Sequence, residues 1–343
     1  MQQDIIHLAG SNLAAGRGLL ITEHPLEPVS LVQIESARKR IHGLVLRTPI
    51  VRLNVDDPER EVYLKLENLQ PTGSFKVRGA SNAIALAGQD AKSRGVYTCS
   101  AGNMAQALAW QARQNGIPCT AIVPDNAPKT KLLAIERFGA KTIQVSYDEV
   151  WKVVTSHRYA PLADALFIHP FSDERMIAGN GTIGLEILED VPGVDSVIIP
   201  FGGGGLTAGI ASAIHAKKPD TRVYAVEPET AAPLAASLRE GRAMDVNRVP
   251  SFVDGIGGKS VLPEIFKIVR PLVDGSITSS LREIADAVRL LVERNRVVAE
   301  GAGAASVAAA LSGKASAGKV VCVVSGGNID TVTLARILSG EVP

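Results

Sequence analysis

From about residue 62 the sequence alternates short β-branched runs with amphipathic stretches of helical length. Such an alternation buries its apolar faces only when mostly parallel strands form a sheet and the helices pack on it, so the chain is expected to be an α/β protein. Strands are predicted at 62–66, 96–99, 119–123, 141–145, 196–199, 222–226 and 319–324. Helices are predicted at 74–86, 103–115, 129–138, 148–157 and 206–217, with further starts near Ser280 and Glu300. Gly116 and Gly139 stand where a helix C′ residue belongs. At 343 residues and about 150 residues per domain, two domains are expected. No Pro- or Ser-rich linker or internal repeat divides them. The first 28 residues are weakly periodic and read as an arm or cover.

Thirty-six basic and thirty-five acidic residues leave a formal charge of +1 with neither sign in a block, so binding to nucleic acid or an anionic membrane is not expected. Cys99, Cys119 and Cys322 lie in apolar runs without a C-x-x-C pair and read as reduced, buried thiols, not a disulfide framework or zinc site. The amino-terminal residues lack a basic, apolar secretory signal, and a cytoplasmic protein is expected. The longest uncharged run, from Ser196 to Ile214, is interrupted by Pro200 and by Gly202, Gly203, Gly204 and Gly205. A membrane helix would be broken there at its centre.

Those four glycines, between a strand and a helix, suit a loop whose backbone N–H groups converge on an anion at a helix N-terminus. No Gly-Lys-Ser/Thr triplet follows, so it is not a nucleoside-triphosphate loop. A tightly packed turn and a dinucleotide site remain rivals, the latter because Gly203, Gly205 and Ala208 fit G-x-G-x-x-A and Glu227 ends the next strand. Thr72 and Ser74 are N-cap candidates that place Lys76 in the first turn of a helix. There the macrodipole opposes an ammonium, and a lysine that loses its proton easily can form a Schiff base. By position alone Lys76 would more often be an ordinary surface charge.

The segment Ser74-Phe75-Lys76-Val77-Arg78-Gly79-Ala80 resembles the pyridoxal-phosphate lysine motif of the serine/threonine dehydratase and serine racemase family, the tryptophan synthase β-like enzymes of fold type II. Ser100-Ala101-Gly102-Asn103-Met104 is similar to its substrate loop, Gly202 to Gly205 to its phosphate loop, and Ser325-Gly326-Gly327-Asn328 to its pyridine-nitrogen loop. The resemblance spans residues 30–340. It implies two lobes with parallel-rich sheets: a large cofactor domain from 1–92 and 171–343, and a small substrate-loop domain from 93–170. It implies that pyridoxal 5′-phosphate is held by Lys76, which later moves the substrate Cα proton. Phe75, Asn103, Gly202, Gly203, Gly204, Gly205, Leu206, Ser325 and Gly326 would complete the cofactor site. Ser100, Ala101, Gly102, Asn103, Met104 and Trp151 would face the substrate. A homodimer is the family's habit. A neutral Ser325 hydroxyl at the pyridine nitrogen makes a weak electron sink and favours elimination over transamination. The expected activity is a dehydratase, or ammonia-lyase, converting a β-hydroxy amino acid to a 2-oxo acid and ammonia. A β-replacement synthase, a non-catalytic amino-acid sensor and a nicotinamide oxidoreductase are the competing readings.

Departures from the family pattern refine this expectation. Ala101 replaces the racemase serine that serves as second acid/base, so one Cα configuration should react. Glu227 matches the racemase branch's cation-site glutamate, but its aspartate partner is Pro233, so no metal is expected. His169 reads as a packed imidazole. The isoleucine-sensing domain of biosynthetic threonine deaminases has no counterpart before residue 343, so feedback control is not expected. Trp151, one of two tryptophans, falls where racemases carry an arginine. With Met104 it would wall the β-carbon side without a cation, making 3-hydroxyaspartate poor and the chain phenylserine dehydratase-like.

Overall fold

Residues 26–343 are described by the computed structural model; the rest of the expected amino-terminal arm lies outside them. β-Branched runs form ten strands: β1 (Ile50–Arg52), β2 (Arg60–Lys65), β3 (Val96–Cys99), β4 (Cys119–Pro124), β5 (Lys141–Val145), β6 (Leu166–Phe167), β7 (Ser196–Pro200), β8 (Arg222–Pro228), β9 (Gly275–Ser279) and β10 (Gly318–Val323). They make a six-stranded sheet in the order β1-β2-β10-β7-β8-β9 and a four-stranded sheet in the order β5-β4-β3-β6. Every pairing is parallel except β1 with β2. Parallel sheets are covered on both faces, and β7 is accordingly buried at each position. The late strand β10 pairs Val321 with Tyr63 on one side and Val197 on the other.

The helix Gly301–Leu311 is buried from 301 to 310, its alanines allowing close approach to the larger sheet. Cys99, Cys119 and Cys322 are buried free thiols. Burial pushes the first two up to about 12 and the third higher still. Among the described residues no helix is long and apolar enough to cross a membrane.

The helix expected at 74–86 begins at Lys76 and continues to Arg94 across a kink at Gly88. Neither Thr72 nor Ser74 caps it: Phe75 holds the cap position in helical conformation. Both hydroxyls are buried without a hydrogen-bond partner among the described residues. The reason is tertiary. Residues 73–75 pair instead with 325–327, through a Ser74–Gly326 bridge, Phe75 N–H to Ser325 O at 3.0 Å and Gly327 N–H to Gly73 O at 2.9 Å.

Candidate active site

Ligands of parallel sheets collect beyond the carboxyl ends of the strands, and there a cavity of about 410 Å³ opens. Its walls include Phe75, Lys76, Ser100, Ala101, Gly102, Asn103, Met104, Trp151, Gly202, Gly203, Gly204, Gly205, Leu206 and Ser325. Of the site residues expected from sequence, Gly326 alone is not in the wall. It sits behind it, where its carbonyl accepts the Glu300 N–H at 3.1 Å and a side chain would press on the Glu300 carboxylate.

The pairing of 73–75 with 325–327 fixes the start of the Lys76 helix against the Ser325 loop. The Lys76 side chain keeps some surface toward the cavity, and its ammonium donates to the Pro170 carbonyl. No carboxylate among the described residues lies within ion-pair distance of it. Burial lowers its pKa to about 8, so a useful fraction is neutral amine near pH 7 to 8.

The glycine loop has the geometry of an anion cradle. Phe201 N–H donates to Val226 O and Ala208 N–H to Gly204 O, but no backbone acceptor among the described residues receives the N–H groups of residues 202–207. The helix Gly205–Lys217 starts there without a side-chain cap, behind Gly204 at φ +85°. Gly203 is required by its neighbour: a Cβ would overlap the Phe171 ring. Unpaired N–H groups and the positive helix end together suit a phosphate dianion.

Asn103, the first residue of the helix Asn103–Gln114, donates to Glu300 Oε1 at 2.8 Å, and its Oδ1 accepts from Asn328 Nδ2 at 2.8 Å. Asn328 also donates to Thr72 O at 2.9 Å, so it ties three loops together. Glu300 and Asn328 both line the cavity; the sequence marks Asn328 only as the end of the Ser325-Gly326-Gly327-Asn328 motif and Glu300 only as a helix start. Burial raises Glu300 to about 7, with the Asn103 hydrogen bond opposing. A carboxyl held protonated by the fold contributes stability that is fully present below its unfolded pKa of about 4.5 and is lost as pH rises through about 7. Glu300→Gln, uncharged throughout, is therefore expected to show a shallower fall in Tm than the parent between about pH 5 and about pH 7.5. Equal slopes in calorimetry would refute this assignment.

Glu227 does not fit a cation. Its Oε1 accepts the Leu234 N–H at 2.8 Å, and its Oε2 accepts the Ala235 N–H at 2.8 Å and the Ser276 hydroxyl at 2.6 Å. It thereby caps the helix Pro233–Glu240, while Pro233 offers no oxygen ligand from its side chain. Burial raises Glu227 to about 7 against those three hydrogen bonds. No cluster of three metal-ligating side chains occurs among the described residues. Turnover is expected to persist after exhaustive treatment with a chelator; loss of activity restored by a divalent cation would overturn that expectation.

The expectation of a wall without a cation needs correction. Trp151 and Met104 both line the cavity, although Met104, 1% exposed, is also core of the smaller sheet. Lys131 and Arg248 line it too. Lys131 pairs with Asp254, joining the helix Lys129–Arg137 to a loop of the larger sheet. Arg248 donates through Nε to Gly257 O at 3.1 Å and has no acidic partner among the described residues. Neither cation announced itself in the sequence, because both reach the cavity from loops or helices remote from the four motifs.

The model of the pyridoxal-phosphate dependent enzyme family matches residues 41–326. The chain is 42% identical to the L-threonine ammonia-lyase of Thermotoga maritima over 316 residues, 91% of this chain and 78% of that one. It is 38% identical to the catabolic L-threonine dehydratase of Escherichia coli over 316 residues, covering 90% and 96% of the two chains. Maize serine racemase superposes with a TM-score of 0.82 at 34% identity, over 92% of this chain and 98% of that structure. An amine with a lowered pKa beside a cradle of free N–H groups fits the aldehyde and phosphate of such a cofactor. The chain belongs to the pyridoxal-phosphate-dependent enzyme family, with the α/β architecture of fold type II, and is a carbon–oxygen lyase of the hydroxy-amino-acid dehydratase type.

Proposed function

We propose that the protein removes water from a β-hydroxy amino acid with an apolar β-substituent, threonine or phenylserine, and releases a 2-oxo acid and ammonia. The observation that carries this reading is the Lys76 amine, with its pKa near 8, beside six consecutive free N–H groups. Lys76 Nζ would hold the cofactor aldehyde until the substrate amine displaces it, and the freed Lys76 amine then takes the substrate Cα proton. The N–H groups of Gly202 to Leu206 hold the phosphate, and Phe75 and Gly326 close the cofactor site. The Asn103 amide, aligned by Glu300 and Asn328, would hold the ring hydroxyl, and the Ser325 hydroxyl would bond the pyridine nitrogen. When bound, pyridoxal phosphate supplies the electron sink that makes the Cα proton acidic. Ser100, Ala101 and Gly102 seat the substrate carboxylate. Departure of the β-hydroxyl leaves an enamine, which tautomerises and hydrolyses.

The two lobes of this reading are residues 1–92 with 171–343, and residues 93–170; all four strands of the smaller sheet come from the second segment. A cytoplasmic homodimer belongs to the same reading. Exposed Leu46 and Leu69 and half-exposed Val298 offer an apolar surface for a second copy, which sedimentation would detect.

Trp151 and Met104 support the apolar β-substituent, since aromatic and sulfur contacts contribute roughly 0.5–1.5 kcal/mol each. Arg248 favours a second reading, an acidic β-substituent. Comparing kcat/KM for phenylserine, threonine, serine and 3-hydroxyaspartate separates them. The expected order places phenylserine at or above threonine, then serine, with 3-hydroxyaspartate poorest and improved by Trp151→Arg. Consumption of one enantiomer without racemisation is expected from Ala101, which cannot transfer a proton. Preference for 3-hydroxyaspartate that disappears in Arg248→Gln would replace the first reading by the second.

A further inference from the structure

His169 is buried, and both its ring nitrogens are engaged. Nδ1 receives the N–H groups of Phe171 at 3.1 Å and Ser172 at 2.6 Å. Two donors on Nδ1 leave the ring proton on Nε2, 3.1 Å from the Val154 carbonyl. Burial, aided by the His157 ring stacked at 4.4 Å, pushes the imidazole down to about 3, so it remains a neutral acceptor at any working pH.

The turn so clamped, residues 169–173, joins β6 of the smaller sheet to the helix Glu174–Asp190 packed on the larger one. It touches the site twice. The Pro170 carbonyl accepts from the Lys76 amine, and Phe171 packs behind Gly203 and Gly205 with its ring and its carbonyl respectively. Val154, at the other end of the His169 ring, lies on the same helix as Trp151, Tyr147–Ser156.

We propose that His169 is a positioning residue: by holding two turn N–H groups on Nδ1 it sets the Pro170 carbonyl that aims the Lys76 amine and the Phe171 support beneath the glycine loop. The inference rests on the reading of Lys76 as the reacting amine. An imidazole is suited to the task because one ring both accepts from the turn and donates to the neighbouring helix. A merely space-filling ring at this position would need neither bond.

The test uses His169→Asn, His169→Gln and His169→Leu in the full chain. The asparagine carbonyl reaches the place of Nδ1 and restores the acceptor, whereas the longer glutamine places its amide near Nε2 and leaves the turn N–H groups unpaired. Asn is expected to keep near-parental kcat. Gln and Leu are expected to lose roughly tenfold or more in kcat with KM little changed, because small displacements of a reacting group are costly. The second readout is independent of turnover: borohydride-fixed incorporation of pyridoxal phosphate into the apoprotein, followed by mass spectrometry of the Lys76 peptide as a function of pH. In Gln and Leu its apparent pKa is expected to rise by about one unit as water reaches the amine. If Leu does not fold, the Asn–Gln pair decides. Asn and Gln behaving alike in kcat and in labelling overturns the proposal. Absence of labelling at Lys76 in the parent overturns the functional reading, and this inference with it.

Discussion

Lys76→Ala is expected to remove turnover by roughly 10⁴-fold or more, the scale on which loss of a residue acting as both nucleophile and proton carrier is felt. Among the described residues, neither of the other two cations in the cavity wall can replace it. Lys131 is already paired with Asp254, and the Arg248 guanidinium does not give up its proton. The same substitution should leave Tm equal to or above the parent's, because a buried amine held to a pKa of about 8 is tolerated for function and contributes little to folding. Lys76→Arg sharpens the test, since its guanidinium stays charged and cannot attack an aldehyde. Borohydride labelling, activity and calorimetry on the three proteins check this together. Retention of more than about one-hundredth of parental turnover in Lys76→Ala would remove Lys76 from the mechanism.

The parts of the site legible in the sequence are those whose chemistry is local. The four glycines between a strand and a helix suggest an anion loop by position, whereas Lys76, Asn103 and Ser325 become legible only through the resemblance of their local motifs, in order, to a known family. Glu300 and Asn328 act through contacts made across the fold. Glu300 did leave a signal: it is the sole charged residue between Arg296 and Lys314, and an isolated acid in an alanine-rich run asks for a buried partner. The helix Glu174–Asp190 was invisible to a reading by propensity, because Gly179, Gly181 and Gly184 each cost about 1 kcal/mol relative to alanine. Those glycines meet neighbouring backbone, Gly179 against Arg78 and Gly79, Gly181 against Gly209, and Gly184 against Ile210. Close packing of helices outweighs local preference there. Strand order was equally hidden, because β10 enters between β2 and β7 only after most of the chain has been laid down.

Removing the charge of Arg78 is expected to cost about 3–5 kcal/mol of stability, the range for breaking a buried ion pair from one side. Two residues after Lys76, Arg78 is 1% exposed and sits within hydrogen-bond reach of two acids. It meets Glu67 at 2.8 Å through Nε and at 2.8 Å through Nη2, and Glu186 at 2.7 Å through Nη1. Lys65 completes a neutral set of two cations and two acids through Glu186 at 2.5 Å. Burial works to raise Glu67, yet the facing Arg78 charge holds its pKa below the ordinary value; Arg78 is raised in turn. Arg78→Met would leave the Glu67 carboxylate with hydrogen bonds from Thr48 and Gln70 but no paired cation among the described residues, and with total stabilities of about 5–15 kcal/mol such a loss can unfold a domain. The network joins β2, the first turns of the Lys76 helix and the helix Glu174–Asp190, so its loss should also loosen the turn before Lys76. In urea, Arg78→Met should unfold at a lower midpoint with a similar slope, whereas Arg78→Met combined with Lys65→Met, Glu67→Met and Glu186→Leu should recover part of the loss, because apolar replacement of a whole buried ion network is often tolerated. A parental midpoint in Arg78→Met alone would mean that water or rearrangement compensates the stranded acids, and the network would then have no claim to holding Lys76 in place.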